Sequence, residues 1–152
     1  MNEKIKTLVN KDKTIVGDLI HNIDKYILSS YNKKLKDLDL TFQQAMVIIF
    51  VYSYQEEEVY QKNIEQLMGL TNPSVTSLIK TMIAKDLIYR IQSKNDGRYY
   101  HLHLTPKSLK MIDIIPEKIF EANNELLAGL SDEESKLLQK LLVKLSNSIE
   151  EE

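Results

Sequence analysis

The sequence has no cysteine. That excludes a disulfide framework, a thiolate zinc site, an iron–sulfur cluster and a thiol sensor or nucleophile. Four glycines and three prolines in 152 residues are too few for a loop-rich or all-β fold. No run of 18 apolar residues occurs, and the opening Met1-Asn2-Glu3-Lys4 has no apolar signal core. Neither a membrane span nor a secretory leader is therefore expected, and the prediction is a soluble, cytoplasmic protein with no membrane partner. Gly-x-Ser-x-Gly, Gly-x-Gly-x-x-Gly and Walker sequences are all missing, so no enzyme, no catalytic residue and no cofactor are expected. What remains suits a single domain spanning 1–152, long enough to bury about two thirds of its unfolded surface without staples.

No sign of charge dominates the chain, whose formal net charge is −2. The distribution is uneven. Residues 1–71 hold nine basic and ten acidic side chains, residues 72–110 seven and two, and residues 111–152 four and ten. A basic segment able to meet a polyanion thus sits between two acidic ones.

The Lys-rich residues 1–13 are expected to fray. Ile15, Val16, Leu19, Ile20, Ile23, Tyr26, Ile27, Tyr31 and Leu35 recur at steps of three and four, predicting a long amphipathic helix. Thr41 and Gln44 have capping-box spacing and open a helix to about Tyr54, apolar nearly all round and so central. Glu56–Glu58 reads as a solvated turn. Val59 to Met68 reads as a short helix closed by Gly69. Thr71 or Asn72 caps the next, and Pro73 favours Asn72. That helix has Val75, Leu78, Ile79, Met82 and Ile83 on one face and Asn72, Ser74, Thr76, Ser77, Lys80, Thr81 and Lys85 on the other.

After Asp86 the period becomes two. Leu87–Gln92 and Tyr99–Leu104 read as strands around the turn Ser93-Lys94-Asn95-Asp96-Gly97-Arg98. Thr105-Pro106 starts a helix to about Leu127, to be kinked or split at Pro116. Ser131 and Glu134 cap a last helix carrying Leu137, Leu138, Leu141, Leu142, Leu145 and Ile149, a stripe that reads as a dimer seam rather than a partner-recruiting surface.

The order of elements is a winged helix–turn–helix within a helical frame, an α+β fold that is mostly α. A helix with short hydroxyl and amide side chains on its free face can enter a major groove about 12 Å wide. Alone, such a face is an ordinary solvated helix surface; beside a basic turn that projects Lys94 and Arg98 it reads as a DNA-binding edge. Arg90, on a strand, reads as a carboxylate partner. His101 and His103 share a strand face but have no carboxylate or thiol pattern beside them, so no metal site is assigned. His21 reads as a hydrogen-bonded interior or interfacial histidine.

At this level the chain resembles the MarR family of bacterial transcriptional regulators, from about Ile15 to Ile149. The similar segments are Leu40-Thr41-Phe42-Gln43-Gln44, Met68-Gly69-Leu70 with Ser74-Val75-Thr76, Lys85-Asp86-Leu87-Ile88, and Asn95-Asp96-Gly97-Arg98 with Leu104-Thr105. Three positions differ from the family pattern: Glu65 stands where a small residue is usual, Ser108 where glycine is frequent, and Pro116 lies in the linking helix.

The resemblance implies a DNA-binding region at 40–105 and a dimerisation region at 14–38 and 106–149. Ser74, Thr76, Ser77 and Lys80 would face the major groove. Arg98 would enter the minor groove with Asp96 orienting it, Lys94 would add charge, and Asn72 would cap or meet phosphate. The partners implied are double-stranded DNA and a second copy of the chain, with a pseudo-palindromic operator and repression as the mode. Family effectors bind between the dimer helices and the winged part, which makes His21, Tyr26 and Tyr52 pocket candidates for a small aromatic or lipophilic effector. The reading from another class is a winged-helix protein-interaction module, antirepressor-like, that does not bind DNA.

Overall fold

The computed structural model describes residues 15–94 and 96–150. The fray expected over residues 1–13, Thr14 at the head of the helical frame, Asn95 of the basic turn and Glu151–Glu152 lie outside the described residues. Seven α-helices and a two-stranded antiparallel sheet follow one another among these residues.

Helix α1, Val16–Lys34, buries none of its side chains within the chain. Its apolar stripe is real in sequence, but only Leu35, the residue that ends it, is fully enclosed. A 3-10 turn, Lys36–Leu38, leads through Asp39 in the left-handed region (φ 53°) to α2, Phe42–Ser53. The predicted capping box is present: Gln44 N donates to Thr41 Oγ1 at 3.2 Å, and Thr41 N donates to Gln44 Oε1 at 3.1 Å. Helix α2 is central, with Ala45, Val47, Ile48 and Val51 buried.

The next helix, α3, runs Gln61–Met68, so it starts two residues later than the periodicity predicts. Val59 and Tyr60 are extended. Leu102 N donates to the Val59 carbonyl at 2.7 Å, and Tyr60 forms an isolated bridge to His101. Two residues are too short to show a period, and their pairing with a strand 40 residues away leaves no local signal. Asn63 then closes the helix start by accepting from Tyr60 N at 2.8 Å. Gly69 ends α3 at φ 59°, where a Cβ would be strained.

Helix α4 runs Asn72–Ala84, and strands β1, Ile88–Gln92, and β2, Tyr100–Leu104, pair from Ile88 with Leu104 to Gln92 with Tyr100. Helix α5 is short, Pro106–Leu109, and α6 runs Ile114–Leu127. The split predicted around Pro116 falls upstream, at residues 110–113. Proline cannot bond to the carbonyl four residues back and its ring clashes there, so the helix breaks before it and Pro116 settles in the first turn of α6. Helix α7, Asp132–Glu150, opens with the predicted Ser131–Glu134 box.

One core unites the end of α1 with α2 to β2 and α6: Leu35, Ile48, Ile64, Val75, Ile79, Met82, Leu87, Ile88, Leu102 and Ile115 all lie within it. Ser108 is fully buried, and its hydroxyl donates to the Leu87 carbonyl at 2.6 Å. A hydroxyl so satisfied explains how serine is accommodated at this position. Helix α1 packs along α6, where Lys34 meets Glu121 and Glu125 at 2.7 and 2.6 Å. Helix α7 stands apart, with Leu137 and Leu141 each more than half exposed (55% and 54%). No helix among the described residues is long and apolar enough to cross a membrane.

Candidate nucleic-acid interface

Helix α4 is held by one face. Val75, Ile79 and Met82 are buried against the core, and at 3.6 residues per turn this leaves Asn72, Ser74, Thr76, Ser77 and Lys80 outside, all exposed. Ile83, read as part of the apolar face, is 39% exposed at the helix end. The N-cap is Thr71, extended at φ −72°, ψ 154°, and Asn72 is already helical. Sequence favoured Asn72 as cap. Pro73 fits equally at the second helical position, whose N–H has no intrahelical acceptor. Neither side chain caps the backbone: the Thr71 and Ser74 hydroxyls pair at 3.0 Å, and Asn72 Nδ2 donates to Glu65 Oε1 at 2.7 Å.

Glu65 stands at the crossing of α3 and α4. Its carboxylate stays half-buried at the surface of that crossing, where Asn72 and Gln61 donate to it. The two helices therefore meet through polar pairing at this position rather than through a small side chain.

The β1–β2 turn carries the second element. Ser93 N donates to the Tyr99 carbonyl and Tyr99 N to the Asp96 carbonyl, closing the loop at 2.9 and 3.0 Å. Asp96 binds the Arg98 guanidinium through both oxygens, with Nη2 to Oδ2 at 2.7 Å and Nε to Oδ1 at 3.0 Å; Oδ1 also accepts from Arg98 N. The Arg98 side chain is nevertheless 84% exposed. Hydrogen bonding to Arg98 holds the Asp96 carboxyl below its ordinary range, and the same bonds raise Arg98. Two of the five guanidinium N–H groups are committed, so three still point to solvent. Lys80 and Lys94 form no ion pair among the described residues. Arg90, expected to pair with a carboxylate, makes no ion pair there either.

In β2, His101 and His103 are half-buried, His101 beside the bridge to Tyr60 and His103 against Tyr89. Their ring nitrogens lie 3.0 Å apart, and Tyr89 stacks on His103 at 5.4 Å. Burial, and then the neighbouring His101, lower the His103 pKa. No group of three metal-binding side chains occurs among the described residues.

The pocket candidates do not converge. An open cleft of about 1010 Å³ lies between α1 and α6, lined by Tyr26 and otherwise by polar and charged side chains of both signs, Lys33, Lys36 and Lys118 with Asp37, Glu121 and Glu125 among them. His21 lies further up α1, exposed, and Tyr52, exposed near the end of α2, lines neither this cleft nor the small cavity at His103. Glu65 stood out in the sequence as a departure from the family pattern, but its pairing with Gln61 and Asn72, and the contact of Gln61 with Thr76, were not legible there. Gln61 and Glu65 both lie on another helix, and only the crossing angle brings them to Thr76 and Asn72.

Residues 29–115 match the family profile described as transcriptional regulator SarA/Rot. The HTH-type transcriptional regulator MgrA of Staphylococcus aureus is 30% identical over 135 residues, covering 87% of this chain and 88% of the relative. Among solved structures, the S. aureus MepR–DNA complex superposes with a TM-score of 0.79 at 25% identity, over 88% of this chain and 98% of that one. The transcription regulator MarR from Oenococcus oeni gives 0.68 at 27% identity, over 88% and 99%.

Proposed function

Because the chain belongs to the SarA/Rot family of transcriptional regulators, we propose that it grips duplex DNA as a pair of identical chains, α4 in the major groove and the β1–β2 turn in the adjacent minor groove. It is a regulator and not an enzyme, on the evidence of its family. The observation that carries the DNA reading is the exposure of the polar and basic groups of one cationic segment. The exposed face of α4 and the forked Arg98 both lie in residues 72–110, the one strongly cationic stretch of the sequence.

Asn72, Ser74, Thr76, Ser77 and Lys80 supply groove and phosphate contacts. Lys94, Asp96 and Arg98 supply the wing. Similarity to MepR, solved as a complex with DNA, supports DNA binding by this chain.

Pairing is supported by the apolar faces that the single chain leaves uncovered on α1 and α7. Val16, Leu19, Ile23, Leu137, Leu141 and Ile149 are each at least 46% exposed. Such an extent of uncovered apolar surface on the two terminal helices supports an interface there. Residues 40–105 would then read DNA, and 14–38 with 106–149 would pair the chains. Two-fold symmetry sets the reading helices about one DNA turn apart, which requires a pseudo-palindromic site. Occupying such a site over a promoter represses it.

A small aromatic or lipophilic effector would lodge in the cleft at Tyr26. Lys33 and Lys36 line it without ion pairs among the described residues, so an anionic substituent on the ligand would add affinity. Shifting the spacing of the two reading heads would release DNA.

A gel shift with the DNA upstream of the protein's own gene, at two salt concentrations, tests this reading. A retarded band that weakens steeply with salt is expected. No band at low salt, with capture of another regulator by the purified protein, would establish the protein-interaction module instead.

A further inference from the structure

Gln61 opens α3 and lies half-buried against α4. Its side-chain nitrogen donates to Thr76 Oγ1 at 2.8 Å and to Glu65 Oε1, one turn along α3, at 3.3 Å. The same Glu65 oxygen accepts from Asn72 Nδ2 at 2.7 Å. Asn72, Glu65, Gln61 and Thr76 therefore form one hydrogen-bonded chain across the helix crossing.

The direction of that chain is fixed by its donors and acceptors. An ionised carboxylate only accepts, and an amide nitrogen only donates. Turning the Gln61 amide over would set its carbonyl oxygen against the Glu65 carboxylate, so Glu65 locks the nitrogen toward Thr76. The Thr76 hydroxyl must then accept on its inner side. One of its lone pairs is occupied, and its proton is left to point away from α3, on the exposed side of α4.

We infer that Gln61 is a positioning residue for base recognition: it commits Thr76 to donate its hydroxyl proton to an acceptor on a base edge. In the major groove those acceptors are purine N7, guanine O6 and thymine O4, whereas cytosine offers an amino donor there. Glu65 serves the same end by holding the Gln61 amide, and it draws Asn72 back toward α3. Among the described residues, Asn72 and Thr76 are the outer-face polar side chains of α4 that hydrogen-bond to α3, and Thr76 is the one whose hydroxyl is left to donate outward. The inference rests on α4 being the groove-facing helix.

The test is selection of bound duplexes from a library of double-stranded DNA with a randomised core, using the full chain. The unsubstituted protein, Gln61→Leu, Thr76→Val and the double variant are compared. Gln61→Leu and Thr76→Val are expected to relax preference at the same base pair of each half-site, by roughly fivefold, as for loss of one hydrogen bond. The double variant should relax it no further, and half-site spacing should not change. Gln61→Glu combined with Glu65→Gln reverses the polarity without setting two carboxylates together: the residue-61 carboxylate takes the Thr76 proton inward, and the preferred base should change toward one with an amino group. A Gln61→Leu motif identical to that of the unsubstituted protein, or relaxed at a different base pair from Thr76→Val, overturns the inference. Failure of the unsubstituted protein to enrich any duplex overturns the DNA reading beneath it.

Discussion

Removing the Arg98 guanidinium should weaken DNA binding in a way that its Asp96 partner makes diagnostic. Arg98 commits Nε and one Nη2 proton to Asp96, and three N–H groups remain on a side chain that is 84% exposed. Arg98→Ala deletes those donors and one positive charge from each wing. Affinity should fall roughly tenfold or more per half-site, and the slope of log affinity against log salt should become shallower by about one per wing, or about two for a pair of chains. Asp96→Ala separates orientation from charge. It frees Arg98 from its fork and raises the net charge of the wing by one, so non-specific attraction should strengthen while specific affinity falls about fivefold. Fluorescence anisotropy against a labelled operator and a scrambled duplex, from 50 to 200 mM salt, reads both quantities. Equal isotherms for Arg98→Ala and the unsubstituted protein would refute the wing assignment. Asp96→Ala tightening both duplexes in the same proportion would show that Asp96 only repels phosphate and orients nothing.

The paired substitution Leu137→Glu with Leu141→Glu should separate the chains without unfolding them, because neither side chain belongs to the core of the single chain; sedimentation velocity and circular dichroism read the two effects. Asp86 sits at φ 57°, the left-handed conformation, so Asp86→Gly should raise the melting temperature, whereas Asp86→Val should cost about 1–2 kcal/mol. Burial, reinforced by His101, lowers the His103 pKa, so the folded chain binds this proton less readily than the unfolded one. The resulting stability is present above the ordinary histidine value of 6.5 and is lost as pH falls below it through the lowered folded-state value; melting curves between pH 8 and 5 should show the loss, and His103→Gln should flatten it.

Local chemistry was legible wherever one side chain decides a boundary. Thr41 with Gln44 and Ser131 with Glu134 announce helix starts that the structure confirms atom by atom. Val75, Ile79 and Met82 announce the buried face of α4, and the change to period two after Asp86 announces the wing. Tertiary choices were not legible. Val59 and Tyr60 look like the start of a helix until β2 claims them as an edge. The stripes of α1 and α7 carry the same periodicity as a core-facing helix, yet the single chain leaves them uncovered, since an apolar face looks alike in sequence whether it meets its own fold or another molecule. The line from Asn72 through Glu65 and Gln61 to Thr76 joins positions up to 15 residues apart and depends on how two helices cross.

The most direct test of DNA reading by paired chains is a hydroxyl-radical and methylation footprint on the bound operator. Two methylation-protected major-groove segments with centres about one helical turn apart, each flanked by a protected minor groove on its outer side, are expected. The outer protection should vanish in Arg98→Ala. A single protected segment, or none under conditions where the folded protein is in excess, would contradict the account.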